Sequence, residues 1–226
     1  TDASLAVFDL ATHERLAVVP IPADLRSAGG VPHDVVVGDG HAFVSIVGLL
    51  AAPDVVVKLS TETFLEVKRA NVGKDPHLFL HPRDERLFVA CQESDAVHVL
   101  DRTSMASLEV VPVSGGHGIW VPPDGNTLFV TNFAGHEPGG PADPRGPFAL
   151  FAIGLGTPMG PPIGTHAPDS APHNLASTAD GLELYVTHSN GGTHVSVYNI
   201  WNRSVPPRFL RTIKVGANPF GICRID

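Results

Sequence analysis

The sequence has few basic residues. Its 226 residues include 15 Lys and Arg against 23 Asp and Glu, which gives a formal net charge of −8, and the basic residues form no cluster. Nucleic acids and anionic membrane surfaces select for Lys/Arg patches. The composition therefore predicts neither as a partner and favours a small molecule.

Long apolar runs are also absent. A membrane-spanning helix needs roughly 20 consecutive apolar residues. The longest apolar stretch, residues 46–57, is interrupted by Gly48, Pro53 and Asp54. The sequence therefore favours a soluble protein with no membrane partner.

Cysteine is scarce and does not fix the cellular compartment. Cys91 and Cys223 lie on different predicted strands and form either a disulfide or two buried thiols. The chain begins at Thr1 without an apolar signal segment. A secreted or periplasmic location and a cytoplasmic one both remain open, and the oligomeric state is not indicated.

Glycine and proline, in contrast, are abundant. The chain has 23 Gly and 21 Pro with an apolar fraction of 43%. This composition is typical of many short strands joined by tight turns around an adequate core. We expect one all-β domain, residues 1–226, without long helices.

Five segments of the chain share a local pattern, in which a residue pair ending in Pro or Gly precedes a histidine or, once, a phenylalanine. Their starts are 44, 40, 56 and 47 residues apart. The first four are each followed by a turn and a second apolar strand. The five segments begin at Val31, Asp75, Gly115, Ala171 and Asn218.

A third and a fourth strand follow in these units, although the fourth is poorly marked in the third unit, where residues 157–162 are rich in Pro and Gly. Four antiparallel strands per 40 to 56 residues predict the blades of a β-propeller. Trp120 and Trp201 are expected to pack between blades.

The two ends of the chain complement each other. Residues 4–10 and 15–20 are typical of third and fourth strands, and residues 219–225 of a first strand. We therefore predict a propeller of about five four-stranded blades whose closing blade is formed by both termini. The alternative is that the chain is cut from a longer protein.

The second strands carry a recognisable motif. Residues 128–132 (Leu-Phe-Val-Thr-Asn) and 184–187 (Leu-Tyr-Val-Thr) each follow an Asp-Gly turn. The chain thereby resembles the YVTN-repeat β-propeller family, over nearly its whole length. The resemblance implies the fold and says little about function, since such propellers include carriers, surface proteins, lyases and oxidases. The chain departs from the family in having fewer blades and in an insertion over residues 133–147 of the third blade.

Histidine recurs at one position of the repeat. The first strand of each propeller blade lines the central channel, so we expect His33, His77, His117 and His173 to form a ring there, with Phe220 in the fifth place. Four imidazoles without a carboxylate suit Cu, Fe, Zn or Ni and do not suit Ca or Mg. A structural histidine ring and a metal-free catalytic cluster are the alternatives.

Neighbouring residues favour the metal hypothesis. The residues that follow the histidines have diverged to Asp34, Leu78, Gly118 and Asn174, whereas the imidazole is retained. Asp34, Asp75, Asn174 and Glu93 are candidates for orienting the rings.

Loops on the same face as the histidines supply further candidates. His136 in the insertion and His188 and His194 beside the Asn190–Gly192 loop are candidate catalytic proton carriers. The predicted substrate-pocket residues are Phe220, Glu93 and Asn132.

The predicted function is that of a metal-dependent enzyme, with an oxidoreductase acting on a small molecule through Fe or Cu favoured. The design is similar to propeller enzymes that hold a metal with axial histidines, such as carotenoid-cleaving dioxygenases, a peptidyl-hydroxyglycine lyase and copper oxidases. Two alternatives remain: a Zn-dependent lyase or hydrolase, and a non-catalytic ligand- or protein-binding propeller with a structural axial metal.

Overall fold

A computed structural model describes residues 3–50, 52–135, 146–166, 171–202 and 206–224. These residues form antiparallel sheets, one α-helix of five residues, α1 (Ala23–Ser27), and one 3-10 turn, Gln92–Ser94. Four sheets have four strands each and a fifth sheet has two. The predicted all-β propeller of about five blades is confirmed.

Each four-stranded sheet is a meander of consecutive strands, which we number as blades 1 to 4. Blade 1 consists of β3 (Val31–Gly38), β4 (His41–Val47), β5 (Asp54–Ser60) and β6 (Glu66–Val72). Blade 2 consists of β7 (Pro76–Leu80), β8 (Arg86–Cys91), β9 (Ala96–Asp101) and β10 (Ser107–Pro112). Blade 3 consists of β11 (Gly116–Trp120), β12 (Thr127–Asn132), β13 (Ala149–Gly154) and β14 (Ile163–His166). Blade 4 consists of β15 (Pro172–Ser177), β16 (Glu183–His188), β17 (His194–Asn199) and β18 (Arg208–Lys214).

The hydrophobic core is divided among the contacts between successive blades. Alternate residues of a strand point to opposite faces, and both faces of the middle strands are covered. Val56 of β5 packs towards blade 2, whereas its neighbours Val55 and Val57 pack towards the N-terminal strands. Similar clusters join blade 2 to blade 3 through Phe88 and blade 3 to blade 4 through Phe129. Each blade is therefore held by its neighbours.

The N-terminal part forms the two-stranded sheet from β1 (Ser4–Phe8) and β2 (Arg15–Pro20). Its buried side chains, among them Val19, share a core with α1 and blade 1. This hairpin supplies the two strands predicted for the closing blade.

The C-terminal segment differs from its prediction as a first strand, since residues 219–224 have no regular secondary structure. A first strand needs a second strand beside it, and the sequence offers none for this blade. The segment lies instead against blade 4, where the Phe220 carbonyl accepts hydrogen bonds from His173, Asn174 and Thr187.

Three smaller expectations have mixed outcomes. The outer strand of blade 3, β14, begins at Ile163, after the Pro/Gly-rich residues that obscured it. Trp120 packs against the core between blades 3 and 4, but Trp201 is 67% exposed, so that prediction was wrong. The cysteines are not paired, and Cys91 is buried whereas Cys223 is exposed. Among the described residues, no helix has the length and apolar character to cross a membrane.

Candidate metal centre

The four repeat histidines lie together, as predicted. Ring centroids are 4.8 Å apart for His33 and His77, 3.7 Å for His77 and His117, and 4.2 Å for His117 and His173. The Phe220 ring continues the series at 3.9 Å from His173. Each ring comes from a different blade or from the C-terminal segment, so the fold brings together residues that are distant in sequence.

An irregularity in the inner strands positions these histidines. Around His117, β11 advances three residues while β12 advances two, from the pair Gly116–Asn132 to the pair Ile119–Val130. The same shift follows Pro172 in blade 4 and Pro32 in blade 1. An extra residue of this kind is a β-bulge, which bends the strand and redirects a side chain.

A hydroxyl group on the second strand satisfies the backbone at each bulge. In blade 3, Thr131 Oγ1 accepts a hydrogen bond from the Gly118 N–H at 2.8 Å and donates to the His173 carbonyl of blade 4 at 2.8 Å. A Cβ atom at residue 118 would lie 1.8 Å from that carbonyl, so the approach requires glycine. Thr131 therefore ties two inner strands together at the level of the histidines.

Blades 1 and 4 repeat this arrangement. Thr187 accepts from the Asn174 N–H and donates to the Phe220 carbonyl, and Ser45 accepts from the Asp34 N–H. The YVTN-like motif thus has a structural role, because its Thr or Ser supports the residue after the histidine.

Blade 2 is the exception. Its equivalent of the hydroxyl residue is Ala90, and β7 pairs with β8 in regular register through His77. The Leu78 N–H instead donates to the Asp34 carboxylate of blade 1 at 2.8 Å. Asp34, a predicted partner of a histidine, therefore serves as a backbone contact between blades.

Hydrogen bonds fix the tautomer of two of the imidazoles. His117 Nδ1 donates to Gln92 Oε1 at 2.7 Å, and His173 Nδ1 donates to the Phe220 carbonyl at 3.0 Å. Each ring therefore carries its proton on Nδ1 and has a lone pair on Nε2.

Burial keeps both of these rings neutral. Desolvation, with repulsion from His77, His173 and His33, lowers the pKa of His117 to about 2. Desolvation and, to a smaller extent, repulsion from His77 lower the pKa of His173 to about 4. Neutral imidazole is the form that binds a metal ion.

A carboxylate lies at the other end of the ring, contrary to the expectation of an all-imidazole site. Asp75 Oδ1 is 3.7 Å from His33 Nδ1, and Asp75 Oδ2 is 3.9 Å from His77 Nε2. The neighbouring His77 imidazole lowers the pKa of Asp75, so the carboxylate is ionised at neutral pH. One donor atom from each of these three residues lies within 4.8 Å of the others, which makes them a group able to hold a metal ion.

The histidines line a cavity of about 180 Å³, together with Asp34, Asn174 and Phe220. A second cavity of about 420 Å³ is lined by Asp75, Lys74, Glu93, Leu49 and Leu50, among others. Asp75 lines only the larger cavity, but its carboxylate oxygens lie 3.7 and 3.9 Å from His33 and His77, which line the smaller one, so the larger cavity adjoins the ring there.

The predicted substrate-pocket residues occupy different places. Phe220 lines the histidine cavity and Glu93 lines the neighbouring one. Asn132 lines neither of these two cavities, and its side-chain amide donates to the Pro147 carbonyl at 3.2 Å. The next residue, Phe133, contacts instead the rings of His117 and His173 at 4.8 and 5.2 Å.

The additional histidines do not join the ring. His188 and His194 stack on each other in blade 4, with ring centroids 4.7 Å apart, and His188 Nε2 is 2.7 Å from Ser196 Oγ. Both are buried. His136 lies outside the described residues. Their catalytic roles stay predictions.

Gln92 and Phe133 were missed by the sequence analysis. Gln92 directly precedes the candidate Glu93, and Phe133 is the first residue of the insertion. Their signal was only their place beside the ends of second strands, which does not specify a side-chain direction.

Comparison with solved structures supports the propeller fold. The chain superposes on Kuenenia stuttgartiensis hydrazine synthase with a TM-score of 0.66 and 19% identity, covering 82% of this chain and 49% of that one. A functionally unknown protein from Desulfotomaculum acetoxidans gives a TM-score of 0.72 at 15% identity, with 95% and 64% covered. A proposed 6-phosphogluconolactonase from Bacteroides fragilis gives 0.71 at 15% identity, with 96% and 66% covered.

At these identities the likeness extends to the fold alone, and the chain spans about half to two thirds of the length of the structures it matches. No protein-family model matches the sequence, and no curated protein does. The resemblance to the YVTN-repeat family therefore stays a prediction, whereas the class of fold, a β-propeller, is supported.

Proposed function

We propose that the protein is a metal-dependent enzyme, an oxidoreductase that acts on a small molecule through an iron or copper ion held by the histidine ring. The observation that carries the proposal is the contact series of His33, His77, His117 and His173 around one cavity. The neighbouring imidazoles oppose protonation of His117, and burial keeps His117 and His173 neutral with nitrogen lone pairs. A bound cation would use their lone pairs.

The residues present fit a borderline transition metal. His117 and His173 are neutral and are oriented through Nδ1, which leaves Nε2 available. His77 Nε2 is buried and has no hydrogen-bond partner among the described residues. An iron or copper ion at such nitrogen donors would supply one-electron chemistry or activation of O₂.

The surroundings suit a small substrate. Phe220 and Phe133 form an apolar side of the histidine ring, and the cavity of about 420 Å³ adjoins it through Asp75. Enzymatic propellers of similar shape include one named hydrazine synthase, which makes an enzymatic role compatible with the fold without specifying the reaction.

Metal analysis of protein purified without added metal tests the proposal. We expect about one iron or copper ion per chain, with loss of the metal in His77→Ala and His117→Ala and retention in His13→Ala, whose side chain is exposed in the β1–β2 turn. Sub-stoichiometric metal in the wild type, with unchanged thermal stability of His77→Ala and His117→Ala, would contradict the proposal.

A structural metal is the second candidate, because the ring residues come from separate blades and one ion would link them. Azide binding to the metal-loaded protein distinguishes the two functions. A change in the metal's absorption or paramagnetic resonance on adding azide indicates an open coordination position and supports the enzyme. A spectrum that azide does not alter supports the structural role.

A further inference from the structure

We propose that Asp75 is a metal ligand and forms, with His33 and His77, a two-histidine, one-carboxylate site at one end of the histidine ring. This inference rests on the proposed metal site and adds a carboxylate to its ligands at the His33–His77 end, which His117 adjoins with a ring-centroid distance of 3.7 Å from His77. The sequence suggested Asp75 only as a partner that orients an imidazole.

The distances around Asp75 fit a shared ion better than direct hydrogen bonds. Its two carboxylate oxygens lie 3.7 Å from His33 Nδ1 and 3.9 Å from His77 Nε2. A hydrogen bond between such atoms requires about 3.2 Å or less. Two donors that each lie about 2.1 Å from one ion are up to about 4.2 Å apart. Both contacts are therefore too long for hydrogen bonds and within the range for two ligands of one metal.

His77 provides a second observation. Its Nε2 atom is buried and has no hydrogen-bond partner in the part of the chain that the structure describes. Buried polar atoms in native proteins nearly always have a partner. An oxygen of Asp75 lies 3.9 Å away, and an ion between the two would satisfy both.

The backbone fixes Asp75 in place. Its φ angle is +55°, and its N–H donates to Asp54 Oδ2 at 3.0 Å. Asn218 has the same conformation at the equivalent position of the repeat, with φ of +56°. Asp and Asn both tolerate this left-handed region, so Asp75→Asn removes the charge and one ligand oxygen without disturbing the turn.

The ligand set bears on the identity of the metal. Two imidazoles and one carboxylate with remaining open positions are typical of ferrous iron in non-haem oxygenases, whereas copper(I) prefers softer donors. Asp75 also lines the cavity of about 420 Å³, so an open position beside it would be reached from there. The site therefore favours iron(II) over copper(I).

Cobalt(II) titration of the metal-free full chain tests the assignment, with visible absorption as the measure of coordination. We expect Asp75→Asn to weaken cobalt binding at least tenfold and to alter the absorption bands. Glu62→Gln is the matched control, because it makes the same change from carboxylate to amide at an exposed residue of the β5–β6 turn, outside both cavities. It should change the affinity less than twofold.

The outcomes separate the two proposals. Wild-type affinity and an unchanged spectrum in Asp75→Asn, with binding lost in His77→Ala, would overturn the role of Asp75 and leave the histidine site intact. Absence of cobalt binding in the wild type would overturn both. If Asp75→Asn does not fold by circular dichroism, Asp75→Glu replaces it: retained binding with shifted bands supports ligation, and an unchanged spectrum contradicts it.

Discussion

Individual side chains of the second strands link the inner strands of adjacent blades. The Thr131 hydroxyl contacts the backbone of its own blade at Gly118 and that of the next blade at His173. Both backbone groups are buried, so neither can bond to water if the hydroxyl is lost. The position of the His173 ring therefore depends on a residue of blade 3.

Thr131→Val should destabilise the protein by about 2 kcal/mol or more, because it leaves a buried donor and a buried acceptor unpaired. Thr127→Val is the control on the same strand, since Thr127 is equally buried and its Oγ1 has no hydrogen-bond partner among the described residues. We expect that change to be neutral or stabilising. Urea unfolding measures both, and equal effects of the two substitutions would contradict the role of the Thr131 hydroxyl.

Gln92 controls the orientation of His117 through one contact. Gln92→Leu removes the acceptor of the 2.7 Å bond from Nδ1, leaving a buried N–H without a partner at a cost of about 1–3 kcal/mol. A double-mutant cycle with His117→Leu isolates this contact. If Gln92→Leu costs as much free energy of unfolding in the His117→Leu background as in the wild type, the hydrogen bond is not the cause.

The hairpins at the opposite ends of the strands also join blades. His81, at the β7–β8 turn, accepts backbone hydrogen bonds from Arg83 and Asp84 on Nδ1, and its Nε2–H donates to the Gly125 carbonyl of blade 3 at 3.0 Å. The ring is only 4% exposed. Protonation of Nδ1 would break the two bonds that it accepts. The β7–β8 turn therefore keeps these bonds only while His81 is neutral.

This requirement predicts a pH dependence of stability. Burial is the main cause that lowers the pKa of His81 below its ordinary value of 6.5. The unfolded chain therefore binds more protons than the folded one below that pH, and stability falls as the pH decreases from about 6.5 through the folded pKa.

His81→Asn, whose Oδ1 can accept the same bonds without titrating, should lose less free energy of unfolding between pH 7.5 and pH 5.0 than the wild type. Urea unfolding at the two pH values measures the difference. Other histidines contribute equally to both proteins, so identical losses would show that His81 does not titrate in this range.

At this scale the sequence predicted the strands well and their junctions poorly. The apolar second strands and Asp-Gly turns placed the hairpins because both signals are local. The bulges after Pro32 and Gly116, the pairing of Gln92 with His117 and the failure of residues 219–224 to form a strand depend on partners elsewhere in the chain. Sequence periodicity carries no information about such partners.

At the scale of the whole molecule, the histidine ring brings together side chains of all four four-stranded blades. The core clusters lie between successive blades, and blade 1 and blade 4 both contribute to the ring, through His33 and His173. The repeat spacing predicted this convergence, because one position per blade faces the axis. The carboxylate of Asp75 was not predicted as part of it, since a residue two positions before a histidine has no fixed direction in an irregular turn.

A metal bound at this ring should stabilise the whole propeller, because ligands from separate blades are held by one ion. At a free cobalt(II) concentration about 100 times the dissociation constant, the free energy of unfolding should rise by about 2.7 kcal/mol. His77→Ala should abolish this increase, whatever its effect on the stability of the metal-free protein. His13→Ala should retain it, because His13 is exposed in the β1–β2 turn. An increase of the same size in His77→Ala would place the bound metal elsewhere on the molecule and contradict the site.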